Sequence, residues 1–296
     1  MKKSVNKYLV LAIGIALILH GSAIFFTLEK SYDALIHLFF SEHYASNWFS
    51  PWSYKWYTGF TVMSYPPLVH QCLALLSFIA GFKFALYTFS FGIIILFVSG
   101  VYRFSLLLTR NSNYAGFAAL FSVFSSVFIE TLHLFGQLPT LTGIALLMHS
   151  LPEIYNWIKT GKIKYLISSL LLMSIMVCSH HVTPIFGMIF FVFPVLGLAI
   201  LDNCKEELGA YSEIRFKYFV LTLFKSIKQI IIFGFGSLFL MIFCILPYWI
   251  NTKNNPITQV PIPHGSRDNF LEVLSSGLVF FIIPYGITLL LLPYIF

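Results

Sequence analysis

The sequence predicts an all-α fold: a polytopic transmembrane helix bundle of about eight spans, with juxtamembrane helices in a long first non-cytoplasmic loop. Three observations support this class. Of the 296 residues, 58% are hydrophobic and only 10% are charged, whereas soluble proteins carry about 25% charged residues. The mean hydropathy is high, at +0.85. Long apolar runs recur along the chain, where a membrane β-barrel would show short alternating segments.

Apolar runs of about 20 residues, the length that crosses a bilayer, indicate the individual spans. The first is too long for a typical signal-peptide core, so we expect it to be retained. The chain ends within an apolar run, and we interpret it as a single transmembrane domain, 1–296, of a protein that continues further. The predicted spans are 8–27, 84–102, 114–132, 138–158, 163–179, 182–201, 229–250 and 274–296.

The stretch 65–81 is apolar, but it is short and begins with two prolines. Lysine and arginine concentrate in cytoplasmic loops, and this rule favours one interpretation of the stretch. If 65–81 lies at the interface or re-enters, 13 basic residues fall inside and 5 outside. We therefore predict a juxtamembrane or re-entrant helix within a first non-cytoplasmic loop, 28–83. The same rule predicts a cell-membrane protein with a cytoplasmic N-terminus.

This topology gathers histidines on the non-cytoplasmic face. Seven of the nine histidines fall there. The other two, His20 and His149, are single histidines inside spans, which we interpret as packed core positions. The cytoplasmic charges set the orientation, whereas the outer face has the composition of a functional site. The seven are His37, His43, His70, His133, His180, His181 and His264.

The segment "SYDALIHLFFSEHY" directly follows the first span. Its Asp33 and His37 are four residues apart and would share one face of a helix. A carboxylate beside a histidine can act as a general base, bind a divalent cation or orient a hydroxyl. The alternative is an interfacial helix whose polar residues face water. Glu42, on another face of this helix, is a further candidate for substrate binding.

Other polar residues fall at two outer turns. Glu130 and His133 lie near the end of a span, where ionisable side chains indicate a functional site unless they reach the interface. Gln137 is expected at the start of the next helix, where free N–H groups favour phosphate. His180 and His181 follow a short span, so they lie either in a cavity below the membrane surface or in a turn that faces water.

Two further candidates lie in long loops. Arg267, in "VPIPHGSRDNF", could bind phosphate through its planar fork of donors, or it belongs to an ordinary surface loop. Tyr65 is one of several aromatic residues of the first loop that suit either the headgroup region or stacking on sugar rings. The chain contains no G-x-x-x-x-G-K-[ST] or H-E-x-x-H motif and no basic, aromatic-interleaved patch for nucleic acid.

The first outer loop, "YDALIHLFFSEHY" followed by "WFSPWSYKWYTGFTVMSYPPLVH", resembles that of the C-type (GT-C) membrane glycosyltransferase superfamily. There, an aspartate follows the first span, often with a histidine one turn later, and a Y-P-P-L helix comes next. The turns "LHLFGQLPTLTGIALL" and "CSHHVTPIFG" resemble a branch sometimes labelled 6-pyruvoyl-tetrahydropterin-synthase-related membrane proteins. The label does not imply pterin chemistry. The resemblance covers residues 1 to about 200, through short and degenerate motifs.

The resemblance implies a helix bundle with a non-cytoplasmic cavity, and transfer of a sugar from a polyprenyl-phosphate donor to a glycan, lipid or protein acceptor. Asp33 matches the family's catalytic aspartate. The acidic D-x-D motif of the second outer loop is missing, and Glu130 would stand in for it. Participation of a divalent metal therefore stays open, with Asp33, Glu130 and His133 as the candidate ligands.

Three interpretations from other classes stay open beside a polyprenyl-phosphate-dependent enzyme of the cell envelope. One is a lipid or glycan translocase without chemistry, which would tolerate loss of the Asp33 carboxylate. Another is a structural or assembly subunit. The last is a metal-dependent membrane oxidase built on the histidines. No nucleic acid partner is expected.

Overall fold

The structure, a computed structural model, describes residues 6–55, 59–62, 65–210 and 215–254, and nearly all of it is helical. Between the helices lie a 3-10 turn (Leu28–Lys30) and two π-helical turns (Glu130–Leu134 and Met188–Val192). The elements are α1 (Lys7–Thr27), α2 (Ala34–Ser46), β1 (Trp52–Ser53), β2 (Phe60–Thr61), α3 (Leu68–Thr109), α4 (Ser112–Ser122), α5 (Ser126–Ile129), α6 (Leu138–Thr160), α7 (Ile163–Ser179), α8 (Thr183–Gly187), α9 (Phe193–Ala210) and α10 (Arg215–Asn254). The all-α prediction is confirmed, and the two strands form only a short antiparallel hairpin.

Helix α6 is the central element of the bundle. It packs against α3, α7 and α9, and most of its residues are buried. A second apolar core joins α1, α3 and α4. Helix α10 is tied to α6 by reciprocal bonds between Trp157 and Gln229: the indole N–H donates to the Gln229 carbonyl at 2.9 Å, and the Gln229 amide donates to the Trp157 carbonyl at 3.2 Å.

Helix α3 is bent at Ala80 and Gly81. Gly81 has φ +84°, a conformation that a residue without Cβ adopts at little cost. The bend separates the segment 68–79 from the long apolar helix that follows. The sequence prediction that 65–81 is distinct from the span at 84–102 is thus matched by a break in the backbone. Whether 65–81 re-enters the membrane stays a prediction.

The run predicted as one span over 114–132 is broken instead. Helices α4 and α5 meet at an angle of 50° around residues 123–125. The chain then passes through the π-helical turn Glu130–Leu134; such turns are frequent at functional sites. The interruption places His133 and the following turn against α1 and α2 rather than at the tip of a straight helix.

Long apolar helices identify the chain as an integral membrane protein. Among the described residues, four helices are long and apolar enough to cross a membrane, or five if α4 and α5 form one bent span. Their exposed side chains include Ile18, Phe26 and Phe235, which suit contact with lipid. The predicted number of about eight spans is not confirmed. Helix α6, with 23 residues, is long enough to cross a membrane, but it is more polar than these four helices. Neighbouring helices shield its polar side chains from lipid. Helix α7 has only 17 residues.

Several predictions fall outside the described residues. These are the terminal span at 274–296 and Arg267, together with most of the loop 251–273. The described chain up to Asn251 belongs to one compact unit, and all the contacts described below lie within it.

Candidate functional site

Asp33 occupies the N-cap of α2 without capping it. Aspartate at this position normally accepts a hydrogen bond from the first turn, yet the Asp33 side chain makes no such bond. Among the residues that the structure describes, its half-buried carboxylate has no hydrogen-bond or ion-pair partner. The N-terminus of a 13-residue helix stabilises negative charge. Within the described residues, Asp33 therefore presents an unpaired carboxylate at the start of α2.

The backbone of Asp33 is held by the turn that precedes α6. Its N–H donates to the Phe135 carbonyl at 2.9 Å, and the Tyr32 N–H donates to the Leu134 carbonyl at 3.2 Å. Gly136, at φ +64°, lies so close that an added Cβ would be 2.1 Å from the Ser31 hydroxyl oxygen. Two segments about 100 residues apart in sequence therefore fix the backbone of Asp33.

His37, one helical turn after Asp33, forms a buried pair with His70. Nδ1 of His37 and Nε2 of His70 are 3.1 Å apart, so one ring donates to the other. Among the described residues, Nε2 of His37 has no hydrogen-bond partner, and Nδ1 of His70 makes no well-formed bond, although the Pro66 carbonyl interacts with that ring. A buried polar atom without a partner costs about 1–3 kcal/mol, so such atoms in native proteins call for a functional or structural reason.

The Tyr65 ring lies within 6.4 Å of four histidine rings, measured between ring centroids. Its ring centroid is 5.4 Å from that of His70, 5.5 Å from His181, 6.1 Å from His37 and 6.4 Å from His180. We call these five residues the histidine cluster. It joins α2, the start of α3 and the turn between α7 and α8, which are distant in sequence.

The histidine cluster reaches the start of α6 through His180. Nε2 of His180 is 3.3 Å from the Thr140 hydroxyl, which donates to the side-chain carbonyl of Gln137 at 3.4 Å. Gln137 is the N-cap of α6, as the sequence predicted, and directly follows the turn that holds Asp33. Contacts thus connect the cluster to Gln137, and the turn just before Gln137 holds the backbone of Asp33.

Burial keeps the histidines of this site neutral. It lowers the pKa of His37 to about 3, with a smaller effect from nearby His180. Burial likewise lowers the pKa of His180 to about 4, with a smaller effect from His181, and lowers the pKa of His181. Neutral imidazoles have one N–H donor and one acceptor nitrogen each. At neutral pH the cluster therefore offers hydrogen bonds without fixed positive charge.

An apolar cavity of about 580 Å³ adjoins the cluster and shares Tyr65 and His181 with it. The rest of its wall comes mainly from apolar and sulfur-bearing side chains of α7, α8 and α10, together with the prolines that precede α3. It can accommodate part of a hydrocarbon chain, while its polar end meets the histidines. The principal lining residues are Tyr44, Tyr65, Val177, Cys178, His181, Ile185, Phe243, Cys244 and Ile245.

Some candidates from the sequence lie elsewhere. Glu42 forms an ion pair with Lys55 at 3.2 Å, and Glu130 is exposed. Both ring nitrogens of His133 are hydrogen-bonded, to His20 and Thr27, which leaves no nitrogen for a metal ion. The candidate ligands Asp33, Glu130 and His133 are not brought together. Across the described ranges, no three histidine, cysteine or carboxylate side chains are grouped to bind a metal.

The structure adds residues that the sequence interpretation left out of the site. His70 completes the buried pair with His37, and Thr140 links Gln137 to His180. The spacing of Gln137 and Thr140 across one helical turn could have indicated the second contact. His20, which we interpreted as a packed core position, is 2.9 Å from His133, and no local pattern indicates a pairing across 113 residues.

The fold and the site define an integral membrane protein with a buried polar cluster beside an apolar cavity. Comparison of the chain with protein-family models, with curated proteins and with solved structures found no match.

Burial of neutral histidine predicts that the protein loses stability in mild acid. The unfolded chain protonates His37 near its ordinary pKa of 6.5, whereas the folded chain resists protonation until about pH 3. The contribution of neutral His37 to the free energy of unfolding is therefore full above pH 6.5 and is lost as the pH drops toward 3. Its size is on the order of a few kcal/mol. We expect His37→Gln to flatten the dependence of the thermal unfolding midpoint on pH between 6.5 and 4.

The matched control is Ser41→Ala. The buried Ser41 hydroxyl donates to the His37 carbonyl on the same helix and does not titrate in this range. Its loss should lower the midpoint at every pH and leave the slope unchanged. An unchanged slope in His37→Gln would show that His37 is not the group responsible.

Proposed function

We propose that the protein is a membrane glycosyltransferase that moves a sugar from a polyprenyl-phosphate donor to a hydroxyl-bearing glycan, lipid or protein acceptor. One observation carries the proposal: Asp33, whose carboxylate has no partner among the described residues, precedes by one helical turn the buried neutral His37, whose cluster borders an apolar cavity. This arrangement suits a substrate with a polar head and a hydrocarbon tail. The resemblance of the first outer loop to C-type glycosyltransferases favours the same reaction and a site on the non-cytoplasmic face.

In this reaction Asp33 acts as the general base. The carboxylate takes the proton of the acceptor hydroxyl as its oxygen bonds to the anomeric carbon of the sugar. The bond between that carbon and the phosphate oxygen breaks, and polyprenyl phosphate leaves with the electron pair. The N-terminus of a helix favours negative charge, and a general base must carry its carboxylate in the charged form.

The histidine cluster and Gln137 hold the polar head of the donor. Imidazole N–H groups and the Gln137 amide can donate to phosphate oxygens, on which charge develops as the bond breaks. Because buried histidines are neutral before the donor binds, the site need not hold several positive charges in a membrane environment. Tyr65, at the boundary between cluster and cavity, is placed to contact the sugar or the first isoprene unit.

The test is release of polyprenyl phosphate. Full-length protein, purified and returned to lipid bilayers, is given a panel of polyprenyl-phosphate sugars with a lipid extract as acceptor. Release with at least one donor, stimulated by acceptor, is the expected result. If folded protein releases no polyprenyl phosphate from any donor, the glycosyltransferase proposal is wrong, and a translocase or an assembly subunit is favoured instead.

The cavity should determine the preference for tail length. Ile245→Trp places a bulky ring in the cavity wall, so we expect the KM for a long-chain donor to rise about tenfold, a loss of roughly 1.4 kcal/mol of binding. A donor with a single isoprene unit should be affected much less. Ile242→Trp is the control, because Ile242 is a comparably exposed isoleucine on α10 outside the cavity wall. Equal effects of both variants on both donors would contradict the assignment of the cavity to the tail.

A further inference from the structure

A second histidine pair lies inside the bundle, separate from the histidine cluster. His20 on α1 is buried, and its Nδ1 is 2.9 Å from Nε2 of His133 on the π-helical turn. Nε2 of His20 is 2.8 Å from the Val123 carbonyl oxygen, at the bend between α4 and α5. Nδ1 of His133 is 2.8 Å from the Thr27 hydroxyl oxygen. These contacts form one chain, Thr27–His133–His20.

The contacts fix the tautomers of both neutral rings. A carbonyl oxygen only accepts, so Nε2 of His20 carries the hydrogen and Nδ1 of His20 accepts. Nε2–H of His133 is then the donor to His20, which leaves Nδ1 of His133 as an acceptor. The Thr27 hydroxyl must therefore donate to His133. Each ring nitrogen of His20 and His133 is therefore matched, donor to acceptor or acceptor to donor.

The same geometry can accept one proton without losing a hydrogen bond to either ring. If Nδ1 of His133 becomes protonated, it donates to the Thr27 oxygen instead of accepting from it. The Thr27 hydroxyl then turns to the Ala23 carbonyl oxygen, which is already 2.9 Å away. We propose that the Thr27–His133–His20 chain is a proton-binding site in the bundle, with Nδ1 of His133 as the acceptor and the Thr27 hydroxyl as the reversible partner.

The titratable groups around this site come from the elements packed against it. On the π-helical turn, Glu130 precedes His133 by three residues, and the next residues hold the backbone of Asp33. In the 3-10 turn after α1, Glu29 is already engaged by Lys83 at 2.8 Å and by the Tyr87 hydroxyl of α3. From α5 the ring of Phe128 packs on His20, and α4 carries only Tyr114, near its opposite end.

The site also connects to the segment that carries Asp33. The carbonyl groups of Leu134 and Phe135, the two residues after His133, accept from the backbone of Tyr32 and Asp33. A change in protonation at His133 therefore acts on the turn that positions Asp33. The inference stands on the hydrogen-bond geometry and does not rest on glycosyl transfer.

The experiment is a titration of ¹⁵N-histidine-labelled full-length protein in lipid nanodiscs, followed by NMR, with His133 assigned from loss of its signals in His133→Asn. In the wild type, His133 should gain a second N–H on acidification while His20 keeps one, on Nε2. Thr27→Ser keeps the hydroxyl and should behave like the wild type. Thr27→Val removes the acceptor of a charge-assisted bond, so the proton affinity of His133 should fall about tenfold.

Three results would overturn the proposal. One is a Thr27→Val protein whose His133 titrates as in the wild type. Another is a proton that goes to His20 first. The third, observed on the wild type alone and so independent of how the variants fold, is a His133 ring that stays neutral down to the pH at which the helices unfold.

Discussion

Asp33→Asn should lower release of polyprenyl phosphate by about 10²–10⁴-fold, the usual contribution of a general base. Asparagine keeps the size of the side chain but cannot take a proton from the acceptor hydroxyl. Because the carboxylate has no partner among the described residues, its replacement breaks no hydrogen bond or ion pair. The thermal unfolding midpoint should therefore stay close to that of the wild type, which separates loss of chemistry from loss of structure.

Glu29→Gln provides the matched control. Glu29 lies four residues before Asp33, but it is already bound by Lys83 and Tyr87. Exposed ion pairs contribute about 0–1 kcal/mol, so this variant should fold and keep its activity. If Asp33→Asn released polyprenyl phosphate as fast as Glu29→Gln, the base would be another group, whereas glycosyl transfer itself would stand.

Gly136→Ala should displace the Asp33 carboxylate by moving the turn that holds the Asp33 backbone. Alanine at φ +64° costs about 1–2 kcal/mol, and the added Cβ would lie 2.1 Å from the Ser31 hydroxyl and 3.0 Å from the Ala34 backbone nitrogen. The turn must move away from α2, which breaks the bond from the Asp33 N–H to the Phe135 carbonyl. We expect a lower unfolding midpoint and a loss of activity that approaches that of Asp33→Asn.

Two further variants make this result specific. Gly92→Ala adds a methyl group where no atom lies within 4 Å, so it should leave both stability and activity near wild type. Ser31→Gly in the Gly136→Ala background removes the clashing side chain and should restore part of the activity, although the backbone cost remains. A Gly136→Ala protein indistinguishable from Gly92→Ala would show that this contact does not position Asp33.

Prediction from sequence was accurate where the signal is local. The first span, 8–27, coincides with α1 to within one residue, and 163–179 coincides with α7. Gln137 was expected at the start of a helix, and α6 begins there, with Pro139 among its first residues. Proline at the first positions of a helix and long apolar runs act over a few residues, so a single sequence carries them.

Prediction was less accurate where the environment of a helix matters. A count of apolar runs treats every helix as if it faced lipid. Helix α6 instead is surrounded by other helices, so it can carry Thr140, His149 and Glu153. The run 114–132 was expected to be continuous, because no proline or charge interrupts it before Glu130. Its break at 123–125 is accompanied by contacts with α1, including the bond from His20 to the Val123 carbonyl.

The sequence by itself determined that this is an all-α integral membrane protein with an aspartate and several histidines between its apolar segments. Composition and short-range spacing carry that information. Only the tertiary structure decided which of those polar groups meet. It pairs His37 with His70 and His20 with His133, and it pairs Glu42 with Lys55. Within the part of the chain that the structure describes, it leaves the Asp33 carboxylate without a partner. The physical reason is that burial and hydrogen bonding depend on residues 13 to 113 positions apart, which come together only when the helices pack.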